Sequence, residues 1–145
     1  MALLSWLFVF LFASAQAHPN RGQTSVIVVM KMARCPVCMT QLQTLGGAKL
    51  GAPVVGVTHD PVPAAVAVTH TTGVRTYSHP NGIKALGLWR ADLGLAQPAV
   101  VVFDRCGGET GRIVGREPGV DVTEKVRALV KQADAVTSCD GPPVS

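Results

Sequence analysis

The sequence predicts an α/β domain, a sheet covered by helices on both faces. Three observations carry that expectation. Two uninterrupted β-branched runs, residues 25–30 and 99–103, have the composition of strands buried on both sides. Stretches of helical periodicity follow each of them, at 39–45 and 122–133. A glycine-rich turn after the second run leads to residues 111–115, with Ile113 and Val114, in the pattern of a hairpin.

Each element has its own local reason. Residues 25–30 are continuously apolar after Ser25 and form the first strand. Pro36 suits a first helical turn, where a missing N–H costs nothing. Met39, Leu42 and Leu45 then recur on one helical stripe, which Gly46 and Gly47 close. Residues 53–57 form a second strand, ending at Thr58-His59-Asp60-Pro61. Periodicity leaves 64–68 open between helix and strand. A short strand is expected at 74–77, a turn at Asn81-Gly82 and a short helix over 83–89. Strand 99–103 passes through the turn at 104–109 to the return strand. The last helix, 122–133, carries Val122, Val126, Leu129 and Val130 on one face, and Asp121 or Thr123 caps its start. Residues 134–145 form a polar tail, and no internal repeat is visible.

Composition sets the class. A chain of 145 residues holds one domain. At 48% hydrophobic and 15% charged residues it is globular rather than disordered. Seven aromatic residues leave the core to Val, Leu, Ala and Ile. The net charge of +4 comes without a Lys/Arg cluster interleaved with aromatics, which argues against nucleic-acid binding.

The amino terminus has the pattern of an export signal. Residues 3–13 are almost continuously apolar, Ala15-Gln16-Ala17 offers small residues at a cleavage site, and His18-Pro19-Asn20 breaks the run. The run is shorter than the roughly 20 residues that span a bilayer, although the first residues lack Lys and Arg. The expected organisation is a signal peptide at 1–17 cleaved after Ala17, a domain at 18–133 and a tail at 134–145. The mature chain is then secreted or periplasmic, with no stable membrane anchor.

Export changes how the four cysteines read. Cys35, Cys38, Cys106 and Cys139 allow three disulfide connectivities, and an oxidising compartment lets bridges persist. Cys35-Pro36-Val37-Cys38 is also the spacing of a redox centre. At a helix N-terminus, unpaired N–H groups and the macrodipole favour a Cys35 thiolate. Arg34 adds a positive charge beside it. Cys38, one turn on, can resolve a mixed disulfide intramolecularly. The competing structural role, a staple between strand and helix, gains little, because so short a loop removes little unfolded-state entropy. A zinc site lacks its second half: Cys106 and Cys139 are far apart, and His59, His70 and His79 lack ligand spacing.

Cys106 and Cys139 flank the hairpin and the last helix. The expected role is a structural disulfide tying the tail to the sheet end, with Cys139 as a second resolving cysteine the alternative. His59-Asp60 does not make a catalytic dyad without geometry. Trp89 is assigned to the core, and Lys125, Arg127 and Lys131 to a solvated helix face.

A buried strand, then Cys-Pro-x-Cys opening a helix, then Pro98 before a β-rich strand and a glycine-turned hairpin resembles the thioredoxin fold. Residues 97–104 with 107–115 are similar to the C-terminal half of the redoxin branch, which contains the TlpA/ResA-type thiol oxidoreductases and the AhpC/TSA peroxiredoxins. The likeness covers residues 24–132. The separation of Cys35 from Pro98 exceeds that of a minimal thioredoxin and suits a redoxin, which carries extra elements in the middle.

The resemblance implies a thioredoxin-like domain with a central mixed sheet. It implies Cys35 as nucleophile and Cys38 as resolving thiol, with Pro98 as a cis proline against the sulfurs. Gln97 and Arg34 would shape access for substrate. Partners would be protein or small-molecule thiols and disulfides, with no nucleic acid and no metal, nucleotide or flavin cofactor. Two departures stand out: Ala33-Arg34 occupies the place where thioredoxins often carry tryptophan, and Met32 the place where peroxiredoxins carry Thr or Ser. The implied function is an exported thiol–disulfide oxidoreductase. The alternatives are a peroxiredoxin-like antioxidant peroxidase and a non-enzymatic secreted module with two structural disulfides.

Overall fold

The computed structural model describes residues 22–115 and 121–139. The expected signal peptide at 1–17 and the end of the tail, 140–145, lie outside the described residues. In chain order the elements are β1 (Ser25–Val29), α1 (Pro36–Gly47), β2 (Val54–Thr58), α2 (Val62–Thr72), β3 (Thr76–Ser78), α3 (Pro80–Ala85), β4 (Trp89–Arg90), β5 (Leu95–Ala96), β6 (Ala99–Phe103), β7 (Glu109–Val114) and α4 (Thr123–Asp134).

The two β-branched runs lie side by side at the centre of one five-stranded sheet, in the order β3-β2-β1-β6-β7. β1 pairs in parallel with β2, and β2 with β3. β6 is antiparallel to β1 and to β7, so the sheet is mixed. Because successive side chains point to opposite faces, each central strand feeds two cores. Val26, Val28, Val100 and Val102 pack with Leu42 and Leu45 of α1, Val68 of α2, and Val126 and Val130 of α4. Ile27, Val29, Val101 and Phe103 pack on the other face with Ile83 of α3, Leu88 and Ala96. Helices therefore cover both faces, as the sequence predicts.

One glycine sets the depth of that packing. A Cβ on Gly56, in the middle of β2, would lie 2.6 Å from Thr76 Oγ1 and 2.9 Å from Leu42 Cδ2. The bare backbone lets α1 lie close against the sheet.

Several local expectations change. The open segment 64–68 belongs to helix α2. It ends at Gly73 in the left-handed conformation (φ 73°), and Thr69 and Thr72 donate their hydroxyls to the carbonyls of Ala65 and Val68. Asn81-Gly82 is not a turn but the first turn of α3, because His79 Nδ1 accepts the Gly82 N–H at 2.8 Å and caps it. The helix expected over 83–89 stops at Ala85. Gly87, at φ 73°, turns the chain, and Trp89 opens the β4–β5 ribbon. Neither cap candidate for α4 caps it: the N-cap is Val122 and no side chain caps the helix, while Asp121, one residue earlier, accepts the Thr123 N–H at 2.8 Å in a local turn. The tail begins later than expected, since Asp134 closes α4 and accepts the Thr24 hydroxyl at 2.6 Å.

On β7, Arg112 donates through Nε to Glu109 at 2.8 Å and through Nη1 to the Leu86 carbonyl at 2.8 Å, joining the edge strand to the end of α3. The hydrogen bonds from Arg112 hold the Glu109 carboxyl below the usual range. A depressed folded-state value means stability that is present above the unfolded pKa, about 4.3, and lost as pH falls through the folded one. The stability difference between the wild type and Glu109→Gln, under about 1 kcal/mol for so exposed a pair, is therefore expected to be constant near neutrality. It should close as pH drops from about 5 towards 3. Thermal melts over that range check this, and a difference independent of pH would refute the pairing.

Candidate active site

Strand β1 ends at Val29, and the chain then makes the short crossing that delivers Cys35 to the start of α1. Cys35 is the N-cap residue, in an extended conformation (φ −100°, ψ 104°), and Pro36 follows in the first turn. Its Sγ accepts the Cys38 backbone N–H at 3.2 Å, in the place of the Ser or Asp oxygen that usually caps a helix. Cys35 and Cys38 are joined by a disulfide, with Cα atoms 5.1 Å apart. The two sulfurs differ in setting. Cys38 is 6% exposed and belongs to the core under α1, whereas Cys35 is half-buried at its rim. The first turn of α1 contains no acidic residue.

The rim around this bridge is apolar and open. Val37, between the cysteines, is 50% exposed and Met32 39% exposed, and Pro36 is exposed as well. Arg34 is exposed in the crossing itself.

Sheet register brings three further segments to the same end. The β1–β6 pairing sets Val29 opposite Ala99, so Pro98 and Gln97 run beside the exit of β1, where the Ala96 N–H donates to the Lys31 carbonyl at 3.3 Å. The Gln97 N–H donates to Leu88, and the Pro98 carbonyl accepts from Gly115, both at 2.7 Å. The cis proline implied by resemblance is not observed: every described peptide bond, Gln97–Pro98 included, is trans. These two hydrogen bonds hold the chain as it enters β6, and Pro98, with no N–H to give the ladder, stands just before the strand's first residue, Ala99.

The end of β2 supplies His59 and Asp60, which face different partners. The His59 imidazole stacks on Trp89, with ring centroids 3.8 Å apart and 12° between planes. Trp89 is thus a partly buried residue at the edge of the second core, stacked on a histidine rather than enclosed. Asp60 Oδ2 accepts the Ala33 N–H at 2.6 Å. The two do not form a dyad. Asp60 is the residue of this end that sequence reasoning missed, because its partner lies 27 positions earlier.

Cys106 and Cys139 form the second disulfide, with Cα atoms 5.4 Å apart. Cys106 sits in the β6–β7 turn, where the Asp104 carboxylate accepts its N–H at 2.8 Å. Since Phe103 pairs with Ser25, this turn lies at the start of β1 and the Cys35–Cys38 bridge at its end. The two are separated by about five strand residues, roughly 16 Å. Cys139 is therefore not a resolving partner for Cys35. Among the described residues no group of three or more His, Cys, Asp or Glu side chains could hold a metal, and no helix is long and apolar enough to cross a membrane.

No family model and no curated protein matches the sequence. Solved structures do match. AhpC from Enterococcus faecalis superposes with a TM-score of 0.67 at 18% identity, over 83% of this chain and 80% of that one. Peroxiredoxin Q from Xanthomonas campestris gives 0.66 at 17% identity, over 81% and 82%. DsbF from MTB gives 0.56 at 18%, over 78% and 82%. The fold is thioredoxin-like. Within it, the Cys35–Cys38 bridge occupies the helix N-terminus at the carboxyl end of the central parallel strand. That is where open α/β sheets present their sites.

Proposed function

We propose that this thioredoxin-like protein is an exported thiol–disulfide oxidoreductase acting through Cys35 and Cys38. The observation that carries the reading is the N-cap position of Cys35. The Cys38 N–H is already aimed at the Cys35 sulfur, so the donor that caps the helix in the disulfide state also stabilises a thiolate once the bridge is reduced. An inert staple needs no such donor and no exposure at the rim.

In the reducing direction, the Cys35 thiolate attacks one sulfur of a substrate disulfide and forms a mixed disulfide, and the other substrate sulfur leaves as a thiolate. Deprotonated Cys38 then attacks Cys35 Sγ, the Cys35–Cys38 bond closes, and the second substrate thiolate departs. Two electrons pass from the cysteine pair to the substrate. Run backwards, the same steps oxidise a substrate dithiol. The apolar rim of Met32, Pro36 and Val37 suits thiols and disulfides carried on apolar protein segments, and Arg34, Gln97 and Pro98 border the approach. Export follows from the signal pattern at 1–17 and places the pair where disulfides persist.

Peroxide reduction is the second reading. It draws on the higher TM-scores to AhpC and peroxiredoxin Q than to DsbF. Here Cys35 would become a sulfenic acid with release of water or an alcohol, and Cys38 would condense with it to the disulfide and a second water. Met32 argues against it, because a thioether offers no proton to a departing peroxide oxygen.

The deciding measurement equilibrates the mature chain with glutathione buffers. A midpoint above roughly −270 mV means an exchangeable redox pair. A pair still closed below about −300 mV behaves as a structural bridge and removes the enzymatic reading. Peroxide consumption with dithiothreitol as reductant separates the two enzymatic readings.

A further inference from the structure

We propose that Asp60 is the positioning residue that sets the reactivity of Cys35, an inference that rests on thiol chemistry at the Cys35–Cys38 pair. An aspartate at the junction of β2 and α2 has an ordinary local use, which is to cap its own helix. Asp60 does not do this. The N-cap of α2 is Pro61, and no side chain caps that helix. The carboxylate instead reaches across to the neighbouring crossing and accepts the Ala33 N–H at 2.6 Å.

The acceptor is itself held in place. Thr58, fully buried at the end of β2, donates its hydroxyl to Asp60 Oδ2 at 3.3 Å and accepts the Asp60 backbone N–H at 3.2 Å. A buried hydroxyl thus fixes the carboxylate, and the carboxylate fixes the backbone two residues before Cys35. Ala33 is 5% exposed, so its N–H would lack water if the aspartate let go. A bond to an ionised acceptor is about twice as strong as a neutral one. Cys35 must keep its extended N-cap conformation for the Cys38 N–H to meet its sulfur, and the Ala33 anchor holds the chain that leads into it.

The charge on Asp60 by itself opposes a thiolate nearby, so the positioning role makes a prediction of definite sign. The other charged or titratable groups at this end are Lys31, Arg34 and His59, along with Cys38 itself; the variants leave them unchanged. In the reduced protein, the pH profile of Cys35 alkylation by iodoacetamide is measured for the wild type, Asp60→Asn and Asp60→Ala. Asparagine keeps an acceptor oxygen for Ala33 without the charge, and alanine keeps neither. Asp60→Ala is expected to raise the apparent pKa of Cys35 and slow its alkylation at neutral pH by about tenfold. Asp60→Asn should restore most of the rate.

Faster alkylation in Asp60→Ala than in the wild type, or equal rates in all three proteins, would overturn the proposal. Should Asp60→Ala fail to fold, Thr58→Val decides, because it removes the hydroxyl that holds the carboxylate and leaves the charge in place. Alkylation at least about threefold slower than in the wild type sustains positioning, and a rate equal to or above the wild type overturns it. Equilibration of the wild type with glutathione reads the oxidoreductase function separately, so failure of that function and failure of the Asp60 role are distinguishable.

Discussion

Cys35→Ser is expected to abolish thiol–disulfide exchange, and Cys38→Ser to leave the protein trapped as a mixed disulfide with its substrate. Serine at position 35 keeps the N-cap oxygen and the fold, but its hydroxyl is not ionised and does not attack sulfur. The loss should exceed about a thousandfold, the scale on which removing a nucleophile acts. Cys38→Ser is the more informative variant. Attack by Cys35 can still occur, since Cys35 is the sulfur at the exposed rim, but the intramolecular step that releases the mixed disulfide is gone. Non-reducing electrophoresis of each variant with an oxidised protein substrate checks both expectations. Adducts formed by Cys35→Ser and not by Cys38→Ser would reverse the assigned roles. That outcome would conflict with the burial of Cys38 in the core.

Loss of the second bridge is expected to cost stability and leave the redox chemistry alone. The Cys106–Cys139 disulfide closes a loop with a sequence separation of 33, worth about 3–4 kcal/mol in the chain-entropy treatment. It pins the segment after α4 to the β6–β7 turn, where Arg105 also donates to the Thr137 carbonyl at 3.1 Å. Replacing both cysteines by serine should lower the urea midpoint and steepen the dependence on denaturant, because the unfolded chain, freed of the cross-link, exposes more surface. The midpoint potential of Cys35–Cys38 should stay where it is, because the two bridges lie at opposite ends of β1. A loss below about 1 kcal/mol, or a shifted potential, would show that the bridge is not a remote staple.

Position along the chain explains which features were legible early. The central strands β1 and β6 were visible because burial on both faces demands an unbroken apolar run, a property each segment carries by itself. Helix α4 was visible through its one-sided stripe of Val126, Leu129 and Val130. The segment 64–68 was not, since Ala and Val repeat there without a clear face, and α2 takes shape by packing against α1 and by its cap at Gly73. Asn81-Gly82 misled because the pair is a common turn signal. What decided otherwise was the His79 imidazole, a cap of unusual chemistry.

The candidate site divides in the same way. Cys35, Pro36 and Cys38 are close in sequence, so their placement at a helix N-terminus needed only local rules. Asp60 and Ala33 are 27 residues apart, and His59 and Trp89 thirty. Neither pair leaves a trace in spacing, because nothing local relates residues on different strands until the sheet forms. The trans geometry at Pro98 belongs here too: it goes with the hydrogen bonds to Leu88 and Gly115, both of them tertiary. By itself, then, the sequence determined the kind of domain, its buried strands and the Cys35–Cys38 pair at a helix start, since each rests on neighbours within a few residues. Only the tertiary structure decided what surrounds that pair, that Asp60 anchors its approach and that the second disulfide stands at the far end. Those relations arise from strand order and register, which bring distant segments within hydrogen-bonding reach.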